Sequence, residues 1–188
     1  MNATQELRVR AEILHRRIQS GDPGAIQRLR ALPDFSRAPV ERLRAAAPGI
    51  RRGDCLALLA RELGFPDWPL AKRALEGDPA ASDFGTLLWS TRCTGHLNLW
   101  FKTYDEAATV REQTGRYLLA YRHQFVVVDR YYIETLGLDP DDPDWNALGL
   151  DWVHPRDPQA RSRLYRKLVA NLPREAAASG GDDAGGLQ

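Results

Sequence analysis

Residues 96–128 read HLNLWFKTYDEAATVREQTGRYLLAYRHQFVVV, and with their flanks from Thr86 to Pro155 they hold the strand-like runs of this 188-residue chain. His96 to Phe101 alternates, so a strand there puts Leu97, Leu99 and Phe101 on one face and His96, Asn98 and Trp100 on the other. Thr103 and Glu106 are spaced as a capping box, in which the hydroxyl accepts from the Glu106 N–H and the carboxylate reaches back to the Thr103 N–H. A helix is therefore predicted from Thr103 to about Gln113, with Ala107, Ala108 and Val110 inward and Gly115 closing it. Tyr117 to Val128 is dense in aromatic and β-branched residues and free of Gly and Pro. The run is either one long strand or a hairpin; a tight turn at Arg122-His123 lacks the Asn or Gly that hairpin turns favour, so a long, bulged strand is the first expectation.

Outward from this stretch the chain is helical. Leu7, Ala11, Leu14 and Ile18 form one apolar stripe beside His15, which reads as a surface or boundary histidine. Asp22-Pro23 opens a second helix that Pro33 ends, and a third runs from about Pro39 to Ala46. Gly64 then stops a helix, Phe65 packs back on it, and Asp67 caps the next, which carries Pro69 in its first turn. Residues 57–75 resemble the ARE-x-GF-x-x-WP-x-L helical segment of uncharacterised bacterial proteins, often beside ankyrin-like repeats and followed by a small α+β domain. The resemblance implies a helix hairpin and transfers no catalytic residue; no second copy at a period of ~33 supports an ankyrin array.

Asp129 caps a short helix that Gly137 ends, and Asp157-Pro158 starts a last one with Ala160, Leu164, Tyr165, Leu168 and Leu172 on one face. Asp139 to Asp144 suggests calcium, but the positions an EF-hand reserves for Gly and Glu hold Asp144 and Leu150. Asp142 before Pro143 is the better reading, an N-cap. The expected architecture is α+β: a helical unit at 1–77 packed on a small antiparallel or mixed sheet with flanking helices at 84–173, and a disordered tail at 174–188.

Composition narrows function by exclusion. A hydrophobic fraction of 43% and a charged fraction of 27% are those of a globular domain, so disorder is not the default. No apolar run approaches the ~20 residues of a membrane span, and the N-terminus is charged and helix-periodic; a cytoplasmic protein without a membrane role is expected. Residues 1–75 carry 14 Lys+Arg against 8 Asp+Glu, and residues 76–188 carry 12 against 17, a net of +6 beside −5. Nucleic acid is disfavoured as a partner, because the arginines are spread over several helices and alternate with acids.

Chemistry concentrates at Arg92-Cys93-Thr94-Gly95-His96. Cys93 with His96 or His123 as base has the residue types of a thiol nucleophile, and Arg92 or Arg122 suits an acidic substrate. The plainer reading makes Cys93 a small core residue, His96 a ring satisfied by a backbone carbonyl and Arg92 a surface charge. Cys93 and His96 also have zinc-like spacing, with His123 or His154 needed to complete a site, but no second Cys/His pair accompanies them and no metal is expected. Arg92, Arg116 and Arg122 favour a small anionic ligand, with Asn98, Trp100, Tyr117 and Tyr121 as further candidates to line its site. No glycine-rich phosphate loop, nucleophile elbow or zinc-protease helix occurs, and no cofactor is expected. The first expectation is a binding or adaptor protein with a small-ligand or protein-partner site in its C-terminal half. The alternatives are a Cys93 enzyme acting on an anionic substrate, and nucleic-acid binding through the basic helices.

Overall fold

Backbone hydrogen bonding decides the architecture of the middle of the chain, where a three-stranded antiparallel sheet forms in the order β1-β3-β2. The structure, a computed structural model, describes residues 2–89, 91–96 and 98–172. The expected tail at 174–188 and the inward position of Leu97 lie outside them. The strands are β1 (Leu99–Phe101), β2 (Tyr117–Tyr121) and β3 (Gln124–Val128). The expected single strand is thus a tight hairpin, with Tyr121 opposite Gln124 and Tyr117 opposite Val128. Arg122 takes a left-handed φ of 53° at this turn without being glycine. Non-local bonds hold it there: its N–H donates to Gly85 O at 2.8 Å and its carbonyl accepts from Phe84 N at 3.2 Å.

Register places Trp100, Val126, Leu119 and, two residues along β2, Tyr121 on one face. Phe101, Phe125 and Ala120 share the other, against which α6 (Tyr104–Thr114) packs Ala107 and the Tyr104 ring. The N-terminal cap of α6 departs from expectation, because the Thr103 hydroxyl donates to the Glu106 carboxylate at 2.8 Å instead of accepting from its backbone N–H.

Among the described residues five α-helices precede the sheet: α1 (Ala3–Gln19), α2 (Pro23–Arg28), α3 (Val40–Ala46), α4 (Arg52–Glu62) and α5 (Trp68–Leu75). Asp22 and Asp67 cap α2 and α5 through Ala25 N and Leu70 N. After α6 come α7 (Arg130–Thr135), α8 (Pro143–Leu148) and α9 (Pro158–Asn171), capped by Asp129, Asp142 and Asp157. Asp142 and Asp144 also pair with Lys167, and Asp144 with Arg163, so these acids tie α8 to α9. Among the described residues no helix is long and apolar enough to cross a membrane.

The apolar cores cross the expected 77/84 boundary. One cluster gathers Ala11, Leu14, Ile18, Leu43, Cys55 and Leu58 within the helical half. The other joins Ala3, Leu7, Leu63, Phe65 and Leu75 to the sheet and α9. Arg10 strengthens that junction by donating to Val169 O and Leu172 O at the C-terminal end of α9, where a cation is favoured. A file of rings continues it: Tyr117, Trp145, Trp152 and Tyr165 have successive centroids 5.0, 5.6 and 4.8 Å apart.

Candidate functional site

Trp100 is 42% exposed although it stands on a strand, and its ring is held by two others. Trp89 lies 5.6 Å from it and Tyr121 6.0 Å, while Trp89 and Tyr121 are themselves 6.0 Å apart, all edge to face. Alternation on β1 and β2 aims Trp100 and Tyr121 to the same side of the sheet, and the Thr86 turn, closed by Trp89 N donating to Thr86 O, brings Trp89 over them. At these spacings the rings fill the space between one another, so a bound group lies over the cluster and not within it. Lys102, two residues beyond Trp100, and Arg122, next to Tyr121, are both exposed. Among the described residues neither side chain has a hydrogen-bond or ion-pair partner. The cluster is an apolar, aromatic surface beside uncompensated positive charge.

Trp100 and Tyr121 are among the candidates drawn from the sequence; Trp89 is not, because its approach to them depends on the fold of residues 84–89. The arginines do not converge as expected: Arg116 precedes β2 and Arg122 follows it, at opposite ends of the strand. Arg92 is exposed on a 3-10 turn at Thr91–Gly95.

Cys93 belongs to that turn and is fully buried. Its carbonyl organises the loop by accepting from His96 N at 3.3 Å and Asn98 Nδ2 at 3.0 Å. Its side chain is in hydrogen-bond contact with the Tyr132 hydroxyl, which donates to Leu88 O at 2.8 Å. Burial, then the neighbouring Cys93 sulfur, pushes that phenol well above its ordinary range. His96 lies edge-on to Tyr132 and places Nε2 2.8 Å from the Thr135 hydroxyl. The same hydroxyl lies 2.9 Å from Tyr131 O, one turn back on α7. Nε2 is thus partnered by a side chain, and among the described residues no backbone carbonyl bonds the ring.

His123 does not join this group. It follows β2 at the far end of the hairpin, with Nδ1 3.0 Å from Ser82 O and Nε2 3.7 Å from the Asp83 carboxylate. Leu99 pairs with Val127, so His96 lies off the opposite end of β3, a five-residue strand about 17 Å long at ~3.4 Å per residue. Cys55, the other thiol, is pushed up to about 11 by burial and then by Asp54. Iodoacetamide is expected to label neither cysteine in the native protein and both in urea, read by peptide mass spectrometry; rapid native labelling of Cys93 would instead support its reading as a nucleophile.

A second polar group was not foreseen from the sequence. The Tyr104 hydroxyl donates to the buried Asp151 carboxylate at 2.6 Å, with Arg111 Nε 4.0 Å from the same oxygen and the His154 ring 4.3 Å from Tyr104. Asp151 also accepts from Val153 N and His154 N. Gly149 and Leu150 both take positive φ just before it, and Leu118 pairs with the following residues through Leu150 O and Trp152 N. The group fixes the 149–154 loop against α6 and the edge of β2. Burial, then Asp151, raises the Tyr104 phenol, so it remains a donor.

The fold is α+β and its most site-like surface is the exposed aromatic cluster. Compared with known proteins, the chain matches no family model, no curated protein and no solved structure.

Proposed function

We propose that this chain is a binding or adaptor protein whose C-terminal half docks a protein partner on Trp89, Trp100 and Tyr121. The observation that carries the reading is Trp100, a tryptophan 42% exposed and backed by two packed rings. Interface anchors are enriched in Trp and Tyr, which supply large rigid area at low entropic cost. Lys102 and Arg122 beside them fit a partner that presents an apolar side chain flanked by acidic ones.

The test places a photo-crosslinking phenylalanine analogue at position 100 and, for comparison, at position 131, where Tyr131 is 62% exposed on α7. Position 100 is expected to give one dominant adduct in cells that position 131 does not. The purified partner then binds about tenfold or more weakly to Trp100→Ala, a loss typical of an anchor residue, and its affinity falls with added salt. The same adducts from both positions, or a partner indifferent to Trp100→Ala, would remove the reading.

A further inference from the structure

A cleft of about 370 Å³ opens where the start of α1, the end of α5 and the outer face of α9 meet, lined by Asn2, Glu76, Gln159, Ser162, Arg163 and Arg166. We infer that it binds a small oxyanion, the phosphate or carboxylate group of a ligand of metabolite size, with Arg166 as its main contact. The cleft shares no residue with the aromatic cluster, so it is a second and independent site.

The lining is rich in donors. Gln159, Arg163 and Arg166 recur at intervals of four and three, so they stand on one face of α9. Arg163 is held in place by Asp144 at 2.8 Å and Asp157 at 3.1 Å, and its charge is largely met there. Arg166 is exposed, and among the described residues it has no hydrogen-bond or ion-pair partner. A guanidinium in that state keeps its whole donor fork for a carboxylate or phosphate.

The facing wall adds to this. The Asn2 side-chain oxygen is already engaged by Gln5 N at 2.8 Å and the Thr4 hydroxyl at 2.9 Å, which leaves its Nδ2 hydrogens for a ligand. Asn2 caps the 17-residue α1, whose N-terminal end carries partial positive charge. Ser162 forms part of the lining but does not donate into the cleft, since its hydroxyl goes to Leu75 O at 3.1 Å.

Glu76 is the one acidic lining residue. Its carboxylate lies 3.2 Å from Thr4 Oγ1, whose one proton goes to the nearer Asn2 oxygen, and 3.9 Å from Lys72 Nζ. A like charge on that wall keeps the bound anion toward Arg166 and weakens its hold. The volume lies near the lower end of the ~300–1,000 Å³ of ligand pockets, which suits a small ligand.

Calorimetric titration of the full chain with inorganic phosphate and with citrate, each against sodium chloride at matched ionic strength, tests the site. Saturable binding of at least one anion is expected, about tenfold weaker in Arg166→Ala, partly restored in Arg166→Lys, and severalfold tighter in Glu76→Gln. Phosphate alone marks a phosphate-bearing ligand, citrate alone a carboxylate. All three variants change exposed or half-exposed side chains, and an unchanged circular dichroism spectrum verifies their folding. No saturable binding of either anion, or binding that Arg166→Ala leaves intact, overturns the assignment. Trp100→Ala leaves this titration unchanged, whatever becomes of the partner surface.

Discussion

Arg161→Met is expected to destabilise the protein by about 3 kcal/mol, the loss of satisfaction for two buried carbonyls at ~1–3 kcal/mol each, less the relief of a desolvated charge. Arg161 is fully buried on α9. Its Nη1 donates to Trp152 O at 3.0 Å and Val153 O at 3.2 Å, its Nη2 donates to Asp78 O at 2.6 Å, and its guanidinium lies 5.6 Å from the centre of the Phe84 ring. These direct partners are backbone carbonyls, so the side chain fastens the 78–84 connection and the 152–153 segment to the last helix. Asp78 O keeps a second donor in Ala81 N when the guanidinium is removed, whereas Trp152 O and Val153 O lose their donor. Burial lowers the arginine's proton affinity, so part of its cost disappears with the charge. Arg161→Lys tests this partition. It retains a buried cation but lacks the fork by which Nη2 reaches Asp78 O while Nη1 serves Trp152 O and Val153 O, and should be at least as unstable as Arg161→Met. Urea midpoints measure both; a loss under about 1 kcal/mol for Met would mean that the carbonyls find other donors.

Arg161 also marks the limit of what the sequence discloses. It falls three and four residues before Leu164 and Tyr165, on the apolar face of its helix, so a periodicity reading can place it inward. What it bonds there depends on where residues 78 and 152 arrive, which no local pattern encodes. Local chemistry was legible at the aspartate caps, though not at Thr103: Asp22, Asp67, Asp129, Asp142 and Asp157 each accept a backbone N–H at the start of the helix expected of them. The hairpin was not, because Arg122 adopts its left-handed turn through bonds to Phe84 and Gly85 and not through its own preference. The same non-local segment delivers Trp89 to Trp100 and Tyr121. Strand register, also invisible in the sequence, separates His123 from Cys93 and His96, although all three lie within 31 consecutive residues.

Gly64→Ala should cost well over 2 kcal/mol, whereas Gly115→Ala should cost about 1 kcal/mol, near the left-handed penalty for an L-residue alone. Both glycines terminate helices with positive φ, 83° and 64° respectively. Their surroundings differ. A Cβ at Gly115 meets nothing within 4 Å, but one at Gly64 falls 2.3 Å from Thr86 Cγ2 and 2.8 Å from Thr86 N. That approach exists because Thr86 N donates to Leu63 O at 2.8 Å, joining the end of α4 to the segment that leads to Trp89. The Thr86 side chain can turn away; its backbone nitrogen can retreat only by giving up that bond. Gly64→Ala with Thr86→Ser should therefore recover only part of the loss, and the fluorescence of the Trp89–Trp100 pair should shift in Gly64→Ala and not in Gly115→Ala. Equal midpoints for the two single variants would mean that the α4 junction yields without cost. In that case the position of Trp89 over the sheet would not depend on the close contact at Gly64.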